Sequence, residues 1–285
     1  MTKLAFLGAG LIGGGLAEAA AKRGDDVTVW NRSPEKAKAL EAHGAKPAAT
    51  PADAVRGAER VHIALTDDAA VDAVLAACGD ALTGAVIVDH TTASPAGTAA
   101  RAARLEQQGL AFLHVPVFMS PKMCREAGGI MLAAGPRPVF DRIEAGLAKM
   151  TGSVRYLGER RDLAAANKLF GNAMILAVTA GLADVYAMAA SLGIPAEEAH
   201  ALFSIFNPAN TITYRGGAMA KGDYTPSFEL TMARKDARLM IEAAAAGPGV
   251  HLLPTIAAWM DRLIAQGHGA EDMGVLAVDA VPARR

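Results

Sequence analysis

The chain has 285 residues, with 28 Lys and Arg against 29 Asp and Glu and a formal net charge of −1, so it lacks the basic excess that carries nucleic-acid binding. Hydrophobic residues make up 52% and charged residues 20%, which supports a buried core and excludes a disordered chain. Cys78 and Cys124 have no second Cys or close His at ligand spacing, which argues against a disulfide framework or a zinc site and for a reducing cytoplasm.

The apolar start at residues 4–7 is cut by glycines, so it reads as a strand and not as a signal peptide or membrane span. No later run reaches the roughly 18 uninterrupted apolar residues of a spanning helix. Short β-rich runs at 4–7, 27–30, 61–65, 86–89 and 112–117 alternate with Ala-rich helical stretches. That alternation predicts βαβ units and a parallel sheet, with 130–134 and 154–157 as further strands at its edge. From 162 to about 192 runs one long helical segment without proline, and the segments 195–206, 209–220, 228–246, 254–266 and a short one after Glu271 also read as helix. The expected fold is α/β, a parallel sheet in domain 1–161 followed by an all-helical domain 162–285, with a long interdomain helix. Small residues along that helix, Gly171, Ala177, Gly181 and Ala189, would let another helix approach, from the same subunit or from another.

The first strand runs directly into Gly8-Ala9-Gly10-Leu11-Ile12-Gly13 and then into a helix, a GxGxxG in the context that gives it meaning. Gly8 permits the tight turn, Gly10 admits a pyrophosphate to the backbone, and Gly13 lets helix and strand pack closely. The N–H groups at the helix start then face the phosphates. About 20 residues on, where NAD-binding units place an acid for the ribose 2′-hydroxyl, the chain has Asn31-Arg32-Ser33. Donors and a fixed positive charge suit the 2′-phosphate of NADP instead.

In these motifs the chain resembles the β-hydroxyacid dehydrogenase family, related to 6-phosphogluconate dehydrogenase and including 3-hydroxyisobutyrate dehydrogenase and tartronate semialdehyde reductase. The resemblance is carried by the glycine turn through Asn31-Arg32, by Val88-Asp89-His90-Thr91-Thr92-Ala93-Ser94-Pro95, by Lys168-Leu169-Phe170-Gly171-Asn172 and by Arg234-Lys235-Asp236. It implies a Rossmann domain and hydride transfer between NADP(H) and a small hydroxy acid or aldehyde acid, with Lys168 as general acid and base. Asn172, four residues on and on the same helix face, would orient Lys168 or bind the substrate oxygen. Leu65, Thr66 and Thr92 would lie along the nicotinamide side, and Lys235 would reach the cofactor from the helical domain. A homodimer or homotetramer is implied too, as is a cleft between the domains that holds the substrate.

One segment departs from the family. Where Pro-Val-Ser-Gly-Gly usually holds the substrate carboxylate, this chain reads Pro116-Val117-Phe118-Met119-Ser120-Pro121-Lys122. Two outcomes are open: Ser120, Lys122 or Arg125 restores the anion site, or Phe118 and Met119 wall an apolar pocket. The alternatives to a hydroxyacid enzyme are an imine or neutral-ketone reductase of the same architecture, and a non-catalytic NADP-binding module. His90, His114 and Cys124 read as packing or capping residues, and no metal site is expected.

Overall fold

The last four residues of β1 (Lys3–Leu7) are all buried, because a parallel strand covered on both faces carries apolar side chains continuously and not in alternation. Leu4 and Phe6 face one core, packing on Leu16 of α1 (Leu11–Lys22), while Ala5 and Leu7 face a second. The computed structural model describes residues 1–284.

The other elements of this half follow in order. They are β2 (Asp26–Trp30), α2 (Pro34–Lys38), β3 (Lys46–Pro47), α3 (Pro51–Val55), β4 (Arg60–Ile63), α4 (Asp68–Cys78), β5 (Val86–Asp89), α5 (Pro95–Gln107) and β6 (Ala111–His114). Next come β7 (Val117–Phe118), α6 (Pro121–Arg125), β8 (Ile130–Ala134), α7 (Arg137–Ala148) and β9 (Ser153–Gly158). The sheet order is β3-β2-β1-β4-β5-β6-β8-β7, with β9 on β8. All pairings from β3 to β6 are parallel. The strand order reverses between β1 and β4, and in open α/β sheets the crevice beyond the strand ends at such a point is where ligands bind.

Three details differ from the sequence pattern. The expected strand 112–117 breaks in two, because Pro116 has no N–H to donate and the chain leaves β5 after His114 to pair with β8. The sheet is therefore mixed at this edge, with β8 antiparallel to both β6 and β7. The expected strand 61–65 ends at Ile63, which frees Leu65 and Thr66 for the loop. β3, two residues long and ending on Pro47, carries too little pattern to be read in advance.

The long helix α8 spans Leu163–Ser191. The chain divides into two compact units, Met1–Asn172 and Ala173–Arg285. The division falls inside α8 and not before it, because the start of α8 belongs to the first unit, with Ala164 and Ala165 fully buried and Lys168 bonded to Val117.

The named elements of the second unit are all helical. They include α9 (Ala196–Ala201), α10 (Asn210–Met219), α11 (Leu230–Ala243) and α12 (Leu252–Leu263). Leu230, Ala233 and Ala237 of α11 pack with Ala257, Met260 and Leu263 of α12. The carboxylate of Asp184, on α8, accepts hydrogen bonds from the N–H groups of His251, Leu252 and Leu253 at 2.8–2.9 Å, satisfying donors that the start of α12 otherwise leaves free.

By length and composition α8 is apolar enough to cross a membrane, with a mean hydropathy of 1.7 over 18 residues, of which only 11% are buried within the chain. Scanning the sequence for an uninterrupted apolar run passes over it, since Thr, Gly and Asn interrupt it. Of its small residues, Gly171 packs on Phe118 and Ala189 is buried within the chain, while Gly181 has nothing within 4 Å of where a Cβ would stand.

Candidate functional site

The loops after β1, β2, β4 and β5 emerge from the same end of the sheet, since these strands are parallel neighbours. Gly8 has φ +108°, and a Cβ there would lie 2.2 Å from the Ala64 carbonyl oxygen, so only glycine fits. A Cβ on Gly13 would lie 2.2 Å from the Gly8 oxygen, which fixes the close helix–strand approach. Gly10 is different: a Cβ there would meet nothing within 4 Å, so no protein group explains that glycine. The open space over Gly10 fits the approach of a dinucleotide pyrophosphate.

The start of α1 agrees with this. Helices α3, α4, α5 and α6 each begin on a Thr, Asp or Ser whose side chain accepts an N–H. Helix α1 begins on Gly10, with no side-chain cap and no acid in its first turn. Its first-turn N–H groups, with the positive end of the helix dipole, are suited to an anion. Ala9 is not among the free donors, because its N–H bonds to Asn31 Oδ1 at 2.9 Å.

That bond gives Asn31 a structural role as well. Its Nδ2 donates one of its two N–H groups to the Ser33 carbonyl at 3.0 Å, so the amide ties the glycine turn to the loop after β2 and keeps one donor for a phosphate. Arg32 is exposed and, among the described residues, has no carboxylate partner. Lys36, exposed in the first turns of α2, is a second such cation. The sequence reading did not name it, although its spacing from Arg32 places it on the same short loop-helix.

On the other side of the strand reversal, Leu65 N–H donates to Thr91 Oγ1 at 3.1 Å, joining the ends of β4 and β5. Thr91 is buried and structural, whereas Thr92 and Thr66 are exposed. The Thr92 loop is held from behind: Ser94 N–H bonds to Asp68 Oδ2 and Ser94 caps α5 through Gly97. The fully buried Arg101 pairs with Asp68 and Asp72, and lies 3.6 Å from Asp89. His62, His90 and His114 are buried behind the same loop. His90 Nδ1 faces the Val115 carbonyl at 2.7 Å and its Nε2 faces His62 Nδ1 at 3.0 Å, which confirms a packing role for His90.

Lys168 lies in the first turns of α8. Its ammonium donates to the Val117 carbonyl at 2.7 Å and sits 4.0 Å from the centroid of the Phe118 ring. Burial pushes its pKa below the ordinary lysine value, in the direction that proton transfer near neutral pH requires. Asn172, one turn on, is half-buried and bonds to no other group among the described residues, so its amide is free.

The three residues that could restore an anion site have these surroundings. Ser120 Oγ accepts the Met123 N–H at 3.2 Å, capping α6, a role that Ser-Pro ahead of a helix announces in the sequence. Lys122 is exposed, with Glu126 3.9 Å away. Arg125 bonds to Glu18 of α1 at 2.8 Å, and the Lys22 ammonium and Arg125 guanidinium together hold the Glu18 carboxyl down to about 2. Met119 is partly buried and packs against the core, with its sulfur 3.8 Å from that of Cys124. Lys235 lies on α11 in the second unit and pairs with Asp236 at 3.0 Å.

Residues 3–158 match the family model that describes the NAD-binding domain of 6-phosphogluconate dehydrogenase. The chain belongs to this family. Among curated relatives, the 6-phosphogluconate dehydrogenase-type chain is 29% identical to glyoxylate/succinic semialdehyde reductase 2 of Arabidopsis thaliana over 96% of its own length and 78% of that protein. It is 30% identical to the cytokine-like nuclear factor N-PAC of Xenopus tropicalis, but spans only 46% of that longer protein. Among solved structures it resembles a reductive aminase from Aspergillus terreus in complex with NADPH and ethyl levulinate, at 26% identity, TM-score 0.90 and 99% coverage of both chains. An imine reductase from Myxococcus stipitatus in complex with NADP+, at 22% identity, has the same fold, with TM-score 0.90 over 96% of this chain and 98% of that one. The protein is an NAD(P)-dependent oxidoreductase of the hydroxyacid dehydrogenase-like family.

Proposed function

We propose that the protein transfers a hydride between NADP(H) and a carbonyl or hydroxyl carbon, with Lys168 as the proton donor in reduction and acceptor in oxidation. The carrying observation is the half-buried Lys168 ammonium at the start of α8, anchored on Val117 and desolvated beside Phe118. The dinucleotide supplies the hydride when bound. Residues Gly8 to Gly13 hold its phosphates, Lys168 supplies or takes the proton at the substrate oxygen, and the free Asn172 amide orients that oxygen.

A 2′-phosphate finds Arg32 and Lys36 unpaired and no acid in the position that would repel it. NADPH is therefore expected to bind more tightly than NADH, and Arg32→Ala to remove about 1–3 kcal/mol of NADPH affinity while leaving NADH unchanged. Titration of both cofactors against both proteins checks this, and a lower Kd for NADH in the wild type would overturn it.

A second reading, imine reduction, draws support from the whole-chain likeness to the reductive aminase. The presence of Lys168, a proton donor suited to an alkoxide, favours the carbonyl reading. A panel of aldehydes, ketones and cyclic imines with NADPH separates the two: turnover of imines alone would replace our reading with the second. NADPH binding without turnover of any of them would leave the third, a binding module.

The exposed apolar side chains of α8, among them Phe170, Ile175 and Leu176 at 56–70% exposure, are more than a solitary soluble helix presents. We assign them to association with further copies of the chain, as two or four subunits. Light scattering is expected to give two or four times 29.3 kDa, and a monomer at micromolar concentration would refute this.

A further inference from the structure

The Phe118 ring fits against α8 at a position where the helix has no side chain. An ideal Cβ on Gly171 would lie 2.3 Å from Phe118 Cζ and 2.7 Å from Cε1. Gly171 has ordinary helical dihedrals, with no positive φ, so the backbone does not require it. A glycine inside a helix is less stable than alanine, and the contact that explains its presence is the edge of the Phe118 ring. Lys168 and Gly171, three residues apart, share one helix face, and the ring packs against that face with Lys168 over it at 4.0 Å.

This arrangement fills the position beside the proton donor with aromatic carbon. A substrate carboxylate there would lose its water and meet the electron-rich ring in place of donors. Of the polar groups on this segment, the Ser120 oxygen caps α6, the exposed Lys122 lies 3.9 Å from Glu126, and Arg125 is paired with Glu18, while the group that packs on Lys168 is the Phe118 ring. We propose that Phe118, seated on Gly171 beside Lys168, is the specificity-determining residue, and that the substrate is a neutral carbonyl compound with an apolar group next to the reacting carbon. The proposal rests on Lys168 being the proton donor of an NADPH-dependent reductase.

The test compares butanal with succinic semialdehyde, which has the same carbon count but carries a carboxylate. Wild-type kcat/KM with NADPH is expected to favour butanal by about tenfold or more. Phe118→Ser is expected to lose most of that preference, chiefly through KM, and to move the pH limb of kcat upward as Lys168 becomes hydrated. Phe118→Leu, still apolar, is expected to keep the preference. Gly171→Ala is expected to reduce butanal turnover while NADPH affinity stays unchanged, and Phe118→Ser added to it to relieve that loss, because the colliding ring is gone. A wild-type preference for succinic semialdehyde, or a ratio unchanged by Phe118→Ser, overturns the proposal alone. Turnover of neither aldehyde, with NADPH tightly bound, overturns the reductase reading and this one with it.

Discussion

Replacing Lys168 with Ala is expected to lower turnover by about a hundredfold or more, the usual contribution of a positioned general acid, while NADPH affinity stays near wild type. The substitution also removes the hydrogen bond to Val117 and the cation over Phe118, so Lys168→Met, which keeps an apolar stem over the ring, separates charge from packing. Both variants should lose activity to the same degree. The pH profile gives a second reading. Reduction uses the ammonium, so its rate falls as pH rises through the Lys168 pKa, and oxidation uses the free amine, so its rate rises through the same value. Because burial lowers that pKa, both limbs should fall below the ordinary lysine value of 10.5. Near-normal turnover in Lys168→Met would dismiss Lys168 from the chemistry.

Acidification is expected to destabilise the protein in a window set by histidines and not by carboxylates. His90 Nδ1 donates to the Val115 carbonyl, so its Nε2 must accept from His62 Nδ1, which leaves His62 Nε2 with a lone pair and no partner. Both rings are then neutral, stacked with Phe6 inside the sheet. Burial holds His62 well below its ordinary value and pushes His90 down to about 4. The unfolded chain takes up these protons near pH 6.5 and the folded one does not, so stability is complete above 6.5 and is lost as pH falls toward 4. His90 alone accounts for about 3 kcal/mol at 1.36 kcal/mol per unit, with His62 adding in the same direction. The charged and titratable groups that act on this pair are Arg23 at the end of α1, Arg60 on β4, Asp89 on β5 and His114 on β6. Glu18, held at about 2, begins to cost stability only below its ordinary 4.5, so the upper part of the window belongs to the histidines. Urea unfolding from pH 7 to 4.5 should show the slope, and His62→Gln should lessen it by the His62 share while the His90 share remains. A flat wild-type profile would contradict the neutral buried pair.

Much of this fold could be read from the sequence because its signals are local. The glycine turn, the strands on either side of it and the long helix each carry their own pattern within a dozen residues. What stayed hidden depends on partners distant in sequence. Nothing near Asn31 announces that its amide will close on Ala9, and nothing near Gly171 announces a phenyl ring from Phe118, since both contacts exist only once the sheet is assembled. The Phe118 segment shows the difference within a few residues: the loss of the family's serine was visible, but the seat of the Phe118 ring on Gly171 and the bonds made by Ser120 and Arg125 were not. Ser120 itself could have been read as a cap from the proline after it. Lys36 and the apolarity of α8 were also on the page as sequence, and were passed over because one lies just outside the motif and the other is interrupted by small polar residues.

The Asn31 amide, by joining Ala9 to Ser33, limits how cofactor choice can drift in evolution or be altered by engineering. Asn31→Asp would keep the acceptor for Ala9 but set a carboxylate oxygen against the Ser33 carbonyl, disturbing the very turn that cradles the phosphates. Residue 32, with its side chain unpaired, can change while that turn stays intact. Lineages moving between the two dinucleotides therefore have an open route through position 32 and an obstructed one through its neighbour.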